Sequence, residues 1–510
     1  MPGINWDRIL SWGLLLASLA LLGPYFNIHR LVINEPLPLT IREAAPVMQT
    51  AALLDPAQPR MYSTASLPEQ TNVYGPLYPL VAMPAVRFLP FPAYTTHRLL
   101  CAAFLGLGCL LLGIAVAKKS HPAVGLAAAV LFYAANVATP SPAAGPDTLA
   151  TLLYISSILI IHHYGTRNTA LCGALALGGL AFLTKPYASL AIPALCAYLF
   201  LFRSWRKSLA ITGLAGAATC LAALAINQIW PCYFFSVLQM HFHSATRVFT
   251  DFKTQLIEFG YLNFAPIILV AWLFPWKRMI PAFKPERTSA ASSADLSWDG
   301  WMIVMALLVL AAALGWHGGA YMIYYNHLLL PPLLLAAFSR IQPGTRHARL
   351  ALPLIVLNMG MLLILKPPTP VPYAGPLQFH PTDKVLIEPA LQPLANHNPN
   401  VEVIDNGQAE YAVKEAYRAS DPEIHKQTTR WEADMTRKIE SRYYDYILLS
   451  SRGAYDRAVF YTKTDVTKPL FDHYELTGTM KIAPYYLAFK DRTQFGRLTT
   501  TLLILKARAK

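Results

Sequence analysis

Over the first 365 or so residues, apolar runs of about 15 to 20 residues alternate with short polar loops. Each run is close to the length that crosses a hydrocarbon core of about 30 Å as a helix. The pattern predicts membrane spans near 9–26, 98–117, 122–138, 147–163, 169–183, 187–202, 208–228, 261–275, 300–316, 325–338 and 349–365, about eleven helices. The first run follows Arg8 and has no small-x-small cleavage site behind it, so it reads as a retained signal anchor.

One further apolar stretch, YGPLYPLVAMPAVRFLPFP from Tyr74 to Pro92, is left out of the spans. Pro76, Pro79, Pro84, Pro90 and Pro92 would break a spanning helix repeatedly, at about 3 kcal/mol for each interior position. It is expected to be an interfacial or re-entrant element in a long external loop, 27–97, that returns to the membrane surface. Loops of this length are uncommon and tend to be functional.

After Lys366 the pattern changes. Residues 367–380 form a proline-rich, extended linker, and from 381 to 510 charge becomes ordinary. There, short β-type runs (VEVID, 401–405; YDYILLS, 444–450; YYLAFK, 485–490) alternate with helical stretches such as RWEADMTRKIESR. The expected fold is an all-α polytopic membrane domain, 1–366, followed by a small extracytoplasmic α/β domain.

Composition agrees with this. The chain has 510 residues, 55% hydrophobic and only 14% charged, and its mean hydropathy is +0.36, too apolar for a soluble protein of this size. A net charge of +14 could suggest nucleic acid, but the basic residues sit in short loops: Lys118, Lys119, Arg167, Arg203, Arg206, Lys207, Lys277, Arg278, Arg340, Arg346 and Arg349. That placement is a topology signal, with these loops cytoplasmic, and excludes nucleic acid as the partner. The amino terminus then lies inside and the carboxyl terminus outside. Six cysteines, all in or at the ends of apolar runs and without a CxxC pair, read as small buried hydrophobes.

The same topology gathers the remaining polar segments outside: the first loop, 138–150 (ATPSPAAGPDTLA), 183–189 (LTKPYAS), 315–327 (GWHGGAYMIYYNH) and 230–260, whose aromatics with His241, His243 and Arg247 suit a headgroup surface. Glu43 lies three residues after Thr40, the capping-box spacing. Glu35 reads as a headgroup-level charge. Asp147, at the start of a span, is also where a helix dipole favours an acid. Lys185, at the outer end of a tight hairpin, could be a snorkelling lysine. The tyrosines near 321–325 fit an aromatic belt, and the histidines lack the converging carboxylates a metal site needs.

The order of segments is more specific than any one of them. REAAPVMQTAALL, then YGPLYPL, HRLL opening a span, GPDTLATLLYISSILI, GGLAFLTKPYASLAIP and finally YYNHLLLPPLLLAAF together resemble the bacterial membrane glycosyltransferases of the GT-C class. The likeness is to the family 39-like branch that contains protein O-mannosyltransferases and aminoarabinose transferases, and it covers residues 9–365. It implies inverting transfer of a sugar from a polyprenyl-phosphate carrier to an extracytoplasmic lipid, polysaccharide or protein, in the bacterial inner membrane. The family's first-loop acid maps onto Glu43, although Arg42-Glu43 stands where many members have Asp-Glu. Its acid at the fourth span maps onto Asp147, preceded here by Gly145-Pro146 and not by arginine.

Such a transfer needs a carboxylate to take the acceptor's hydroxyl proton and positive charge to hold the leaving phosphate. The expected roles are Glu43 as general base, Asp147 as second acid, Lys185 and Arg98 as phosphate clamp, and Tyr74 and Tyr78 lining the way in for the prenyl tail. Arg42, His317, Tyr325 and Asn326 are expected to contact acceptor or sugar. No cofactor is expected; a polyprenyl phosphate leaves readily without a divalent metal, and the metal question stays open. The competing reading is a transporter or flippase for a lipid-linked or cell-envelope substrate, against which stands the lack of visible half-and-half repetition.

Overall fold

The computed structural model describes residues 6–35, 43–55, 61–63, 65, 67, 72–139, 143–239, 249–273, 325–342, 345–366, 377–388, 398–404, 422–450, 467–482 and 500–509. The expected span at 300–316, the strand at 485–490, and His241, His243 and Arg247 lie outside them.

The helices follow the apolar runs: α1 (Trp6–Asn34), α4 (Ala93–Lys119), α5 (Pro122–Val137), α6 (Asp147–Tyr164), α7 (Asn168–Thr184), α8 (Ala191–Phe202) and α9 (Trp205–Ile229). Later helices are Phe249–Leu262, Phe264–Leu273, Leu330–Phe338 and Arg346–Ile364. Their ends carry ordinary stop and start chemistry. Pro122 takes the first helical position behind the His121 cap, Ser204 and Thr345 accept the N–H groups of Lys207 and Ala348, and Lys118 and Lys119 close α4.

The expected spans turn out to be of mixed length. Among the described residues, Ser11–Asn34, Ala93–Lys119, Trp205–Ile229 and Arg346–Ile364 are long and apolar enough to cross a membrane, and Leu256–Leu262 with Phe264–Leu273 would be a fifth, bent by 85°. α9 shows what surrounds them. Leu209, Leu214, Leu221, Leu224 and Ile229 are all more than half exposed along its length, which hydrocarbon tolerates and water does not.

The bundle core is built by α1, α4, α5, α6, α7 and the two carboxyl-terminal helices, from Leu14, Leu21, Leu112, Leu131, Ile155, Leu171, Leu334 and Ile355 among others. α4 and α5 pack unusually close because two glycines face each other: a Cβ on Gly125 would stand 2.5 Å from the Gly113 carbonyl oxygen. Cys101, Cys109 and Cys232 are buried as expected, whereas Cys172 and Cys220 are exposed, their helix faces being turned away from the core.

Two helices arise inside the long first loop, α2 (Ala44–Leu54) and α3 (Leu77–Phe88). α3 is the proline-rich stretch expected to be interfacial; Pro76 stands just before its start, and Leu80, Val81, Phe88 and Leu89 are exposed along it.

The carboxyl-terminal part is a five-stranded mixed sheet with β1 (Val385–Ile387), β2 (Val401–Val403), β3 (Tyr446–Ser450), β4 (Tyr474–Ile482) and β5 (Thr500–Ala507) in the order β2-β1-β3-β5-β4. β1 pairs parallel with β2 and β3, and β5 pairs antiparallel with β3 and β4. Helix Pro422–Glu440 lays Trp431, Met435 and Ile439 against Leu386, Ile447 and Leu505. The amino-terminal turn of this helix also reaches the membrane domain, where Ile424 packs with Met61, Tyr62, Val73 and Tyr233.

Candidate functional site

Chain direction sorts the polar residues onto two ends of the bundle. The basic loops at 118–120 and 340–342 meet at one end, where Gln342 donates to the Lys119 carbonyl at 2.7 Å and Ser120 donates to the Ile341 carbonyl. At the opposite end lie the start of α4 with Arg98, the start of α6 with Asp147, and the end of α7 with Lys185.

Among the described residues, two ion pairs form there. Arg98, a turn and a half into α4, grips Glu43 through both carboxylate oxygens, Nε to Oε1 at 3.0 Å and Nη2 to Oε2 at 2.8 Å. Both side chains are fully buried. Ala144 N–H also donates to Glu43 Oε1, and Arg98 Nη1 donates to the Glu35 carbonyl. The capping-box reading of Glu43 is thus replaced: Glu43 is itself the residue before α2, makes no side-chain cap bond, and spends its carboxylate on Arg98 and Ala144.

The second pair is more open. Lys185 Nζ donates to Asp147 Oδ1 at 2.6 Å, and Tyr187 OH donates to the same oxygen at 2.8 Å. The Asp147 side chain is 21% exposed while that of Lys185 is 3%, so the acid is the face this pair presents outward. As the first residue of α6, Asp147 also receives the helix dipole. The Lys185 ammonium lies 4.5 Å from the centre of the Tyr74 ring and 5.4 Å from that of Tyr187, a cation–π seat on two sides. The imidazole of His327, on the buried turn Tyr325–Leu329, lies within electrostatic range of both partners.

The loop that brings Tyr74 here is pinned by its neighbour. Gly75 N–H donates to the Thr184 carbonyl at 3.0 Å, and a Cβ on Gly75 would stand 1.8 Å from the Leu183 carbonyl oxygen. Backbone lies on backbone there, with no side chain to move aside. Gly75→Ala is therefore expected to lower stability by about 1–3 kcal/mol or more and to free the loop from α7, seen as a lower melting temperature in detergent and protease cleavage near residue 75.

Ala144 and Asp147 are three residues apart, so one short turn holds both carboxylates in place. Of the expected site residues, the structure brings together Glu43 with Arg98, and Asp147 with Lys185 and Tyr74. Tyr78 is elsewhere: fully buried, its hydroxyl is 2.9 Å from His97 Nδ1 and 3.5 Å from Cys101 Sγ, inside the packing of α3 on α4. Asn326 bridges helices, accepting from Asn263 at 3.1 Å and donating to the Ala135 carbonyl at 2.8 Å, and Tyr325 packs on Phe259. Arg42 and His317 lie outside the described residues. Sequence reasoning missed Tyr187 and the Ala144 N–H as site partners; the spacing in TKPY, which folds as the 3₁₀ turn Pro186–Leu190, is the signal that could have supplied Tyr187. Among the described residues no three His, Cys, Asp or Glu side chains converge as metal ligands.

Part of the chain and its fold resemble known proteins. Residues 93–230, which carry Arg98, Asp147 and Lys185, match the family described as dolichyl-phosphate-mannose-protein mannosyltransferase. No curated protein matches the chain in sequence. Among solved structures, ArnT from Cupriavidus metallidurans bound to undecaprenyl phosphate aligns with a TM-score of 0.54 at 12% identity, over 96% of this chain and 97% of that one. The apo state of the same protein gives 0.51 at 13% identity with the same coverage. The resemblance to GT-C membrane glycosyltransferases read from the sequence is thus found again in two independent ways, in sequence over 93–230 and in fold over nearly the whole chain.

Proposed function

We propose that the protein is an inverting glycosyltransferase that takes a sugar from a polyprenyl-phosphate carrier on the extracytoplasmic face of the bacterial inner membrane and passes it to an envelope lipid, glycan or protein. The observation that carries this reading is the Lys185–Asp147–Tyr187 cluster under Tyr74, at the end of the bundle away from the basic loops. A carboxylate and an ammonium held side by side at the membrane boundary supply what displacement of a lipid phosphate requires. The undecaprenyl phosphate bound by the Cupriavidus protein of similar fold supports the donor class.

In the proposed step the acceptor hydroxyl oxygen bonds to the anomeric carbon as the bond from that carbon to the phosphate oxygen breaks. The hydroxyl proton passes to Asp147, whose exposed side retains acceptor capacity, and the departing phosphate charge is met by Lys185. An ammonium has three donors, so Lys185 can keep Asp147 and still reach phosphate oxygens. Asp147 takes the role the sequence reading gave to Glu43, because Glu43 is fully buried and committed to three donor bonds. Glu43 and Arg98 instead fasten the first loop to α4 and to the turn before Asp147. The proposed step is written without a cofactor, since a polyprenyl phosphate is itself a good leaving group, and it leaves room for a divalent metal.

Lys185→Gln tests the clamp. It keeps a hydrogen-bonding side chain and removes the charge, so affinity for undecaprenyl phosphate in nanodiscs is expected to fall about ten- to a hundredfold, the range for a charge-assisted bond. Unchanged affinity would remove Lys185 from the phosphate site.

A further inference from the structure

Tyr62 is one of two described non-glycine residues with a positive φ, at 52°. A left-handed tyrosine costs about 1 kcal/mol or more and persists where its surroundings over-determine it. Here they do. Its carbonyl accepts the Cys232 N–H at 3.1 Å. Its ring, 2% exposed, stands edge-on to Trp230 at 5.7 Å and to Tyr233 at 5.3 Å. Its hydroxyl reaches twelve residues along the chain and donates to the Tyr74 carbonyl.

Tyr74 is the residue whose ring covers Lys185. Its own N–H is taken by Asn72 Oδ1 at 2.9 Å, and Gly75 follows on the α7 backbone. The peptide carrying the Tyr74 ring is therefore held from three sides, and the hold at its carbonyl comes from Tyr62. The far side of Tyr62's cluster is closed by Ile424, 1% exposed, from the α/β domain.

We infer that Tyr62 is a positioning residue for the phosphate clamp: its hydroxyl fixes the Tyr74 ring over Lys185, and Ile424 lets the α/β domain brace that arrangement from outside the membrane. The proposal rests on the donor reading for its functional consequence, while its structural part stands on these contacts alone. Tyr62→Phe keeps the ring, the edge contacts and the backbone, and removes only the bond to Tyr74.

The test has two readouts on the full-length protein in nanodiscs. The first needs no ligand. The acylation rate of Lys185 by a small amine-reactive ester, measured by peptide mass spectrometry, is expected to rise about fivefold in Tyr62→Phe and also in Ile424→Ala, as the ring loosens; an unchanged rate in Tyr62→Phe overturns the proposal. The second is binding of undecaprenyl phosphate, expected to weaken about fivefold in Tyr62→Phe, and not to weaken further when Tyr62→Phe is added to Lys185→Gln. Equal losses in both backgrounds would mean a structural role only and would also overturn it. Faster acylation together with no undecaprenyl phosphate binding by the wild-type chain would uphold the positioning contact and reject the donor reading.

Discussion

Asp147→Asn is expected to reduce sugar transfer about a hundred- to ten-thousandfold, the range for losing a general base, while leaving the protein folded. The amide is nearly the same size, and its oxygen can still accept from Lys185 and Tyr187, which now hold Oδ1 at 2.6 and 2.8 Å. What disappears is the capacity to take a proton. Donor binding should survive, because Lys185 keeps its charge and its seat on Tyr74 and Tyr187. Turnover followed as released polyprenyl phosphate, with binding followed in parallel, separates the two. Turnover within threefold of wild type would take the proton-transfer role away from Asp147.

Glu43→Gln is expected to act on stability first. Arg98 is fully buried, and its paired carboxylate is Glu43; removing one member of such a pair leaves a charge stranded at a cost of about 3–5 kcal/mol. The first loop should then detach from the start of α4 and from Ala144, and the unfolding midpoint should drop accordingly. The double substitution Glu43→Leu with Arg98→Leu is the sharper experiment. Replacing a buried pair with apolar side chains of similar volume is often close to neutral, so this variant should recover most of the stability. It should also retain transfer within about tenfold, since neither residue is assigned to the reacting atoms. A stable double variant with no transfer would return the base to Glu43.

The membrane bundle could be read in the sequence because lipid imposes one rule on every span, a long apolar helix with basic loops on one side, and runs such as 98–117 and 208–228 obey it openly. Span ends were harder. The helix breaks at Asn263 and the unusual turn at Tyr325–Leu329 arise from packing between distant segments, with Asn358 bonding the Ala265 N–H and the Leu262 carbonyl across the break. Nothing local announces such bonds.

In the site, residue types and order pointed to Glu43, Arg98, Asp147 and Lys185, but pairing was invisible. Glu43 and Arg98 are 55 positions apart and Asp147 and Lys185 are 38 apart; only the fold decides which acid meets which base. The sequence reading placed Arg98 on the phosphate and Glu43 on the acceptor. In the structure they neutralise each other, and the acid left facing outward is Asp147, paired with the buried Lys185. Tyr78 misled for a related reason: a tyrosine in an exposed, proline-rich stretch resembles a lining residue until its hydroxyl is found bonded to His97 inside the packing.

One assay tests the central claim most directly. Purified wild type and Asp147→Asn in nanodiscs would be given a panel of radiolabelled polyprenyl-phosphate sugars with membrane extract as acceptor, scored for released polyprenyl phosphate and for label in the acceptor. The account predicts that the wild type releases phosphate and moves label in equal amounts with at least one donor, and that Asp147→Asn does both at least about a hundredfold more slowly while still binding that donor. No release of polyprenyl phosphate by the wild type with any donor, together with intact labelled lipid carried across the membrane when the same protein is reconstituted in sealed vesicles, would contradict it and establish a transporter instead.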